Sequence, residues 1–282
     1  PGFDLKQEEI SYLTSNNLPA VLVNSMRYGT GDGEITPGQD SYWVSTRGGG
    51  HGDKRLIVLA PASVNECAEL TYLAFDLAEK YRNVVEILTD GAISQMIEKC
   101  TLPPAKEHDI DKFDWTLTGK PLGVKKNKMN NLTNIIGHPA YSEMMLNKFK
   151  TMFSEEQRWE SVMTDDAELI LVAYGISSRV CKTAVREARA AGIKLGLIRP
   201  ITVWPFPRKA FENLPDILEN QASCTFTVYA TPNDTGKKEI VYDKMIYTSL
   251  FPLKLKIPVS FNGETNVSVY IDNKLYYEYV SS

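Results

Sequence analysis

The feature that most constrains this chain is an alternation: short, chiefly apolar runs at residues 20–23, 56–60 and 84–88, separated by stretches with helical periodicity. Strands this apolar are those buried on both faces. Alternation with helices therefore predicts an α/β fold, a parallel sheet with helices on both faces. Residues 4–16 carry Leu5, Ile10 and Leu13 at helical spacing, with Asp4 as the expected N-cap. Residues 39–47 read as a short helix, and Ser63 as the cap of a long amphipathic helix ending at Tyr81. Ligands of such sheets lie beyond the carboxyl ends of the strands, which puts Arg27 and Asp90 at the crevice.

The alternation lapses after residue 100. Residues 101–136, with Pro103-Pro104 and the basic run 125–128, are too polar and irregular for a core and read as an interdomain strap. Residues 141–162 are expected as one amphipathic helix carrying Met144, Met145, Phe149, Phe153 and Trp159 along one side, which is packing rather than a cofactor box. A second α/β unit follows: a strand at 167–174, a tight turn at Gly175, a helix from Ser178 to Ala191 closed by Gly192, and a parallel strand at 194–198. Beyond residue 222 come five β-type runs at 225–229, 240–242, 257–261, 267–271 and 275–280, with Asp272-Asn273 suited to a two-residue hairpin. The expected division is a partial domain over 1–100, a strap and helix over 101–165, a second partial domain over 166–222 and a β-rich tail over 223–282.

Composition excludes several classes. Among 282 residues, 43% apolar content suffices for two cores, while 35 acidic and 31 basic residues are interspersed and give a net charge of -4. No strong field exists for nucleic acid or an anionic membrane. The longest apolar stretch, residues 56–62, holds seven residues and is broken by Pro61, against the roughly 20 needed to span a bilayer. Cys67, Cys100, Cys181 and Cys224 lie far apart without a C-x-x-C pair, so neither a zinc nor an iron–sulfur site is readable, and buried thiols in a reducing cytoplasm are expected. The chain opens at Pro1 inside what reads as a loop entering a helix, and a missing upstream piece is expected.

Four places could carry chemistry. Gly48, Gly49, Gly50, His51, Gly52 and Asp53 form a glycine string whose amides could approach a phosphate or a partner, although it follows a helix and precedes a strand, so a structural turn is the competing reading. Arg27 could hold a carboxylate bidentately or could form a surface ion pair. Asp90 is a helix N-cap or a cleft residue. The amides at 175–178 could bind an anion, or Ser177 or Ser178 could cap the helix. His51 is the one histidine near these loops and has no evident acid–base partner; His108 and His138 fall in the strap.

Taken together, Pro1-Gly2-Phe3, residues 19–27, Thr46-Arg47 with the glycine string, residues 56–61, Trp115-Thr116-Leu117-Thr118-Gly119, residues 172–175 and residues 199–205 resemble the alpha subunit of the 2-oxoacid:ferredoxin oxidoreductases over about residues 1–217. The strap segment most resembles the branch acting on 2-oxoisovalerate and other branched-chain 2-oxoacids. The resemblance implies a pyrimidine-binding domain of the thiamine-diphosphate type and a transketolase-C-terminal-like unit. It also implies a reaction in which the cofactor's carbanion attacks the 2-oxo carbon, carbon dioxide leaves, electrons reach ferredoxin and coenzyme A takes the acyl group.

Carried over by position, Arg27 matches the arginine that holds the substrate carboxylate, while Gly48 to Asp53 and Asp90 match loops around the cofactor cleft and subunit interface, with no chemical step assigned. No metal ligand is expected in this chain. Magnesium and the diphosphate are expected on a beta subunit, and iron–sulfur clusters on other subunits such as gamma or delta. The glutamate that activates thiamine belongs upstream of Pro1, so the chain alone is expected to be inactive. After about residue 217 the family pattern is lost. A non-catalytic interaction module, a decayed remnant or another thiamine-dependent enzyme stands as the alternative.

Overall fold

A computed structural model describes residues 2–106, 113, 115, 132–212 and 214, together with the backbone of four later strands. The chain divides into two compact units, Pro1–Asn213 and Leu214–Ser282. The expected β run at 257–261, the turn at Asp272-Asn273, His108 and the basic run 125–128 lie outside the described residues.

The first unit contains two sheets. Strands β1 (Ala20–Tyr28), β2 (Glu34–Pro37), β3 (Ile57–Leu59) and β4 (Val84–Asp90) form the larger one, joined by β8 (Thr202–Trp204), in the order β2-β1-β4-β3-β8. Its centre is parallel, with β1 and β3 flanking β4, but β2 and β8 pair antiparallel at the rims, so the sheet is mixed. β4 is buried along its whole length. β1 is not the fully buried strand expected: Val23 is 66% exposed, because β1 pairs with β4 on one side only and meets β2 only at Arg27 and Tyr28.

Side-chain alternation sorts the core onto two faces. Ile57, Leu59, Val85 and Ile87 pack with Leu77, Tyr81 and Met152, from α4 (Val64–Tyr81) and α7 (His138–Glu155). Val58, Val84, Leu88 and Met26 pack with Ile10 of α2 (Gln7–Ser15) on the other face. The long helix starts as its sequence dictates: Ser63 Oγ accepts from Glu66 N at 3.2 Å, and Glu66 reaches back to Ala62 N at 2.8 Å. The chain's first helix differs from expectation. α1 (Gly2–Leu5) already contains Asp4, so Asp4 lies inside a helix rather than at the cap of the one expected, and α2 begins at Gln7 with Lys6 at its N-cap.

The second sheet is β5 (Trp159–Val162), β7 (Leu195–Pro200) and β6 (Leu169–Val172), with α8 (Gly175–Ala190) crossing between the parallel pair β6 and β7. The helix expected to run to residue 162 stops at Glu155. There Glu156 is buried against Tyr81 Oη at 2.6 Å and Lys80 Nζ at 2.9 Å, and the next residues pair antiparallel with β7. Trp159 is thus a strand residue. Arg199 of β7 is 1% exposed and ties the two sheets: its guanidinium bonds Glu66 of α4 and Glu160 of β5, the latter at 3.2 Å. Among the described residues no helix is long and apolar enough to cross a membrane.

Among the described residues the second unit holds four strands, β9 (Ser223–Pro232), β10 (Glu239–Tyr247), β11 (Thr265–Ile271) and β12 (Lys274–Ser281), in one antiparallel sheet of order β10-β9-β11-β12. The β-type runs at 225–229, 240–242, 267–271 and 275–280 all fall within these strands.

Candidate functional site

Arg27 closes the outward edge of β1. It helps line a cavity of about 390 Å³ formed between α1 and that strand. Phe3, Leu22 and Val23 supply an apolar wall, Asn24, Ser25 and Ser41 polar groups, and Asp4, Lys6 and Arg27 charges. These charges are not equivalent. Lys6 pairs with Glu9 at 2.9 Å, and Asp4 also has a partner, whereas the half-buried guanidinium of Arg27 carries no ion pair or hydrogen bond to any described residue. A planar five-donor cation left without an internal acceptor, beside an apolar wall, suits a small carboxylate with a hydrocarbon side chain.

Behind the cavity wall lies a buried polar cluster that the sequence reading missed. Asn24 Nδ2 donates to Glu86 Oε1 at 3.0 Å, and Ser45 Oγ donates to the same oxygen at 2.7 Å. Glu86 is fully buried in the central strand, and its Oε2 has no partner. Burial pushes its carboxyl up to about 7, against the pull of the Ser45 and Asn24 hydrogen bonds and the Lys54 charge. Lys54 is itself buried and held below the usual lysine range by desolvation, which the Glu86 charge partly offsets. Its ammonium donates to Gln7 Oε1 at 3.0 Å and to Gly49 O. The available signal was a polar residue in each of two apolar strand runs, Asn24 and Glu86, where a central strand has no solvent to receive it.

The glycine string does not line the cavity; it wraps α2. Gly48 ends α3 (Tyr42–Arg47) by donating its N–H to Val44 O at 3.1 Å. At Gly50, where φ is +69°, a Cβ would run into the Gln7 carbonyl and the Ser11 hydroxyl, so only glycine lets the loop lie this close to the helix. His51 N then donates to Ser11 Oγ at 3.0 Å, while the His51, Gly52 and Asp53 side of the loop faces outward.

Asp90 stands at a junction between the two sheets. Its Oδ1 accepts from Ile93 N at 3.0 Å, capping α5 (Gly91–Gln95), and its Oδ2 accepts from Ile176 N at 2.7 Å, in the first turn of α8. Of the amides at 175–178, that of Ile176 therefore meets a carboxyl of this same chain, Asp90. Neither Ser177 nor Ser178 caps α8: Ser178 Oγ donates to Gly175 O at 2.7 Å and Ser177 Oγ to Gln39 Oε1 at 3.3 Å. Gly175, with φ +58°, has no room for a side chain, since a Cβ would sit 2.5 Å from Asp90 Oδ2. Gln39 Nε2 completes the junction on Tyr174 O at 3.1 Å. Among the described residues no group of three His, Cys, Asp or Glu side chains could hold a metal ion.

Comparison with known proteins gives this geometry a context. Residues 1–164 match the family described as pyruvate flavodoxin/ferredoxin oxidoreductase, thiamine diP-bdg, and residues 167–231 match the pyruvate:ferredoxin oxidoreductase core domain II. The chain is 45% identical over 227 residues to the ketoisovalerate oxidoreductase subunit VorB of Methanothermobacter marburgensis, covering 80% of this chain and 63% of that one. It is 33% identical to the 2-oxoglutarate synthase subunit KorA of Methanocaldococcus jannaschii, over 76% of this chain and 64% of the relative. The chain thus spans about three fifths of the length of the curated relatives it matches. A solved structure of 2-oxoglutarate:ferredoxin oxidoreductase from Magnetococcus marinus, with 2-oxoglutarate, coenzyme A and succinyl-CoA bound, superimposes with a TM-score of 0.60 at 21% identity, over 76% of this chain and 42% of that one, and shows the shared fold.

Proposed function

The chain belongs to the pyruvate flavodoxin/ferredoxin oxidoreductase family through its thiamine-diphosphate-binding domain, and on that premise we propose that it is the alpha-type part of an enzyme that oxidatively decarboxylates a branched-chain 2-oxoacid to its acyl-CoA, with ferredoxin as electron acceptor. The ketoisovalerate relatives support the substrate class. The observation that carries the reading is Arg27: a half-buried guanidinium, unpaired among the described residues, on a cavity wall shared with Phe3, Leu22 and Val23. The substrate carboxylate seats on Arg27 and its branched alkyl group lies on the apolar wall, so the charge fixes the orientation of the 2-oxo carbon.

We assign the diphosphate and magnesium to a beta subunit that completes the pocket, and the iron–sulfur clusters to further subunits of gamma or delta type. Gly48 to Asp53 and Asp90 serve this arrangement as supports rather than as ligand contacts. The thiols of Cys67, Cys100 and Cys181 are unpaired, which suits a reducing cytoplasm.

Replacing Arg27 by Leu tests the reading. Calorimetric binding of 2-oxoisovalerate to the full chain should weaken roughly 30-fold or more, the worth of a charge-assisted pair of about 2 kcal/mol. An unchanged Kd discards the carboxylate assignment. Turnover by this chain without a beta-type partner would overturn the division of labour.

A further inference from the structure

We propose that Glu86 is a positioning residue for the anion cavity: by holding Asn24 it decides whether that side chain offers a bound carboxylate a hydrogen-bond donor or an acceptor. The inference deepens the proposed function and rests on its placement of the carboxylate at Arg27. Three observations carry it. Asn24 belongs both to the cavity wall and to the buried cluster, so it is the link between them. Glu86 Oε1 receives two donors, one from β1 and one from α3, while Oε2 receives none. A fully buried carboxyl with one bare oxygen is costly in a structural role, since hydrogen-bonded burial is the rule and an apolar residue would fill a central strand without penalty.

Each protonation state asks something different of Asn24. An ionised Glu86 can only accept, so it engages the Asn24 Nδ2 donor as seen here and leaves Oδ1 as the free polar atom of the amide. A protonated Glu86 carries an O–H that needs an acceptor. The Asn24 amide, already on Glu86 Oε1, can supply its Oδ1 by rotating, which leaves Nδ2 as the free polar atom of a side chain that belongs to a cavity-lining residue. Both the freed donor and the lost negative charge favour an anion. Carboxylates therefore bind more tightly at low pH than at high pH. The groups facing Glu86 are Asn24 from β1, Ser45 from α3 and Lys54 from the segment leading into β3, with Gln7 of α2 and the Gly49 carbonyl behind Lys54. Lys54 is the charged group among them. Burial places the transition near neutrality, with the carboxyl at about 7.

Two measurements on the full chain decide the matter. In the ligand-free chain, the Asn24 side-chain amide signals are followed by nitrogen–proton NMR between pH 5.5 and 8.5, and they should shift with one midpoint near 7. Calorimetric binding of 2-oxoisovalerate over the same range should weaken roughly fivefold as pH rises, the usual weight of one hydrogen bond. Glu86→Gln, which is always neutral, should hold both readouts flat and keep binding at its low-pH strength. Ser45→Ala removes a donor to the carboxylate and should move the midpoint to higher pH, and it carries the test should Glu86→Gln not fold. A midpoint that survives in Glu86→Gln would belong to another group and overturns the proposal, as does an Asn24 signal that does not titrate. If wild type binds no 2-oxoacid at any pH, the proposed function fails while the ligand-free titration still decides the role of Glu86.

Discussion

Among the described residues, a guanidinium lies half-buried at the Arg27 cavity with no ion pair, and the carboxyl behind it keeps one bare oxygen. At the Asp90 junction each carboxylate oxygen holds a backbone amide, and Gly175 leaves no gap beside it. Both places lie at the carboxyl edge of β strands, where folds of this kind bind ligands, yet only one has polarity to spare. The difference separates support from chemistry. Where internal groups satisfy one another, the energy goes into joining two sheets; where they do not, the remaining valence is available to a ligand.

The comparison can be broken or sharpened by substitution. On the joining side, Arg199→Ala should cost the most, roughly 3–5 kcal/mol by chemical denaturation, because it removes a buried charge that holds Glu66 and Glu160. A loss below about 1 kcal/mol would mean that the sheets are held by apolar packing alone.

On the chemical side, the carboxyl of Glu86 is raised in the fold, so its contribution is fully present below the unfolded value of 4.5 and is lost as pH climbs through about 7. Wild-type stability should therefore fall by about 3 kcal/mol across that window relative to Glu86→Gln. Parallel profiles for the two proteins would show that the carboxyl is not raised. Asp90→Ala should cost about 2 kcal/mol, near 1 for each helix start it serves, and hydrogen exchange at Ile93 and Ile176 should accelerate. Arg27→Leu should shift stability least, within about 0.5 kcal/mol, since the guanidinium has no internal partner to lose. A large destabilisation there would move Arg27 to the supporting class.

Legibility in the sequence followed the source of each element's stability. The helix from Ser63 to Tyr81 and strands β4 and β7 were readable because the pattern of the chain itself defines them: a capping box, 3.6-residue periodicity, chiefly apolar strand runs. β2, with all four residues exposed, and β5, which was read as the end of a helix, exist because a neighbouring strand offers hydrogen bonds, and no local pattern announces that. The place of Arg27 at a strand end was readable. The glycine string pointed correctly to close backbone contact, but the contact is with α2. The role of Asn24 and Glu86 was not readable, since it depends on two strands lying side by side and on Ser45 arriving from α3.

The flank of β1 has a practical corollary. Among the described residues, nothing pairs with its outer backbone before Arg27, so several amides and carbonyls there face outward as a ready template for another extended peptide. Handled by itself at high concentration, the protein should pair flank to flank, and such a contact would run along the stretch from Leu22 to Arg27, which also lines the cavity. Affinities taken from concentrated samples would then understate the true ones, and dilution would appear to activate the pocket.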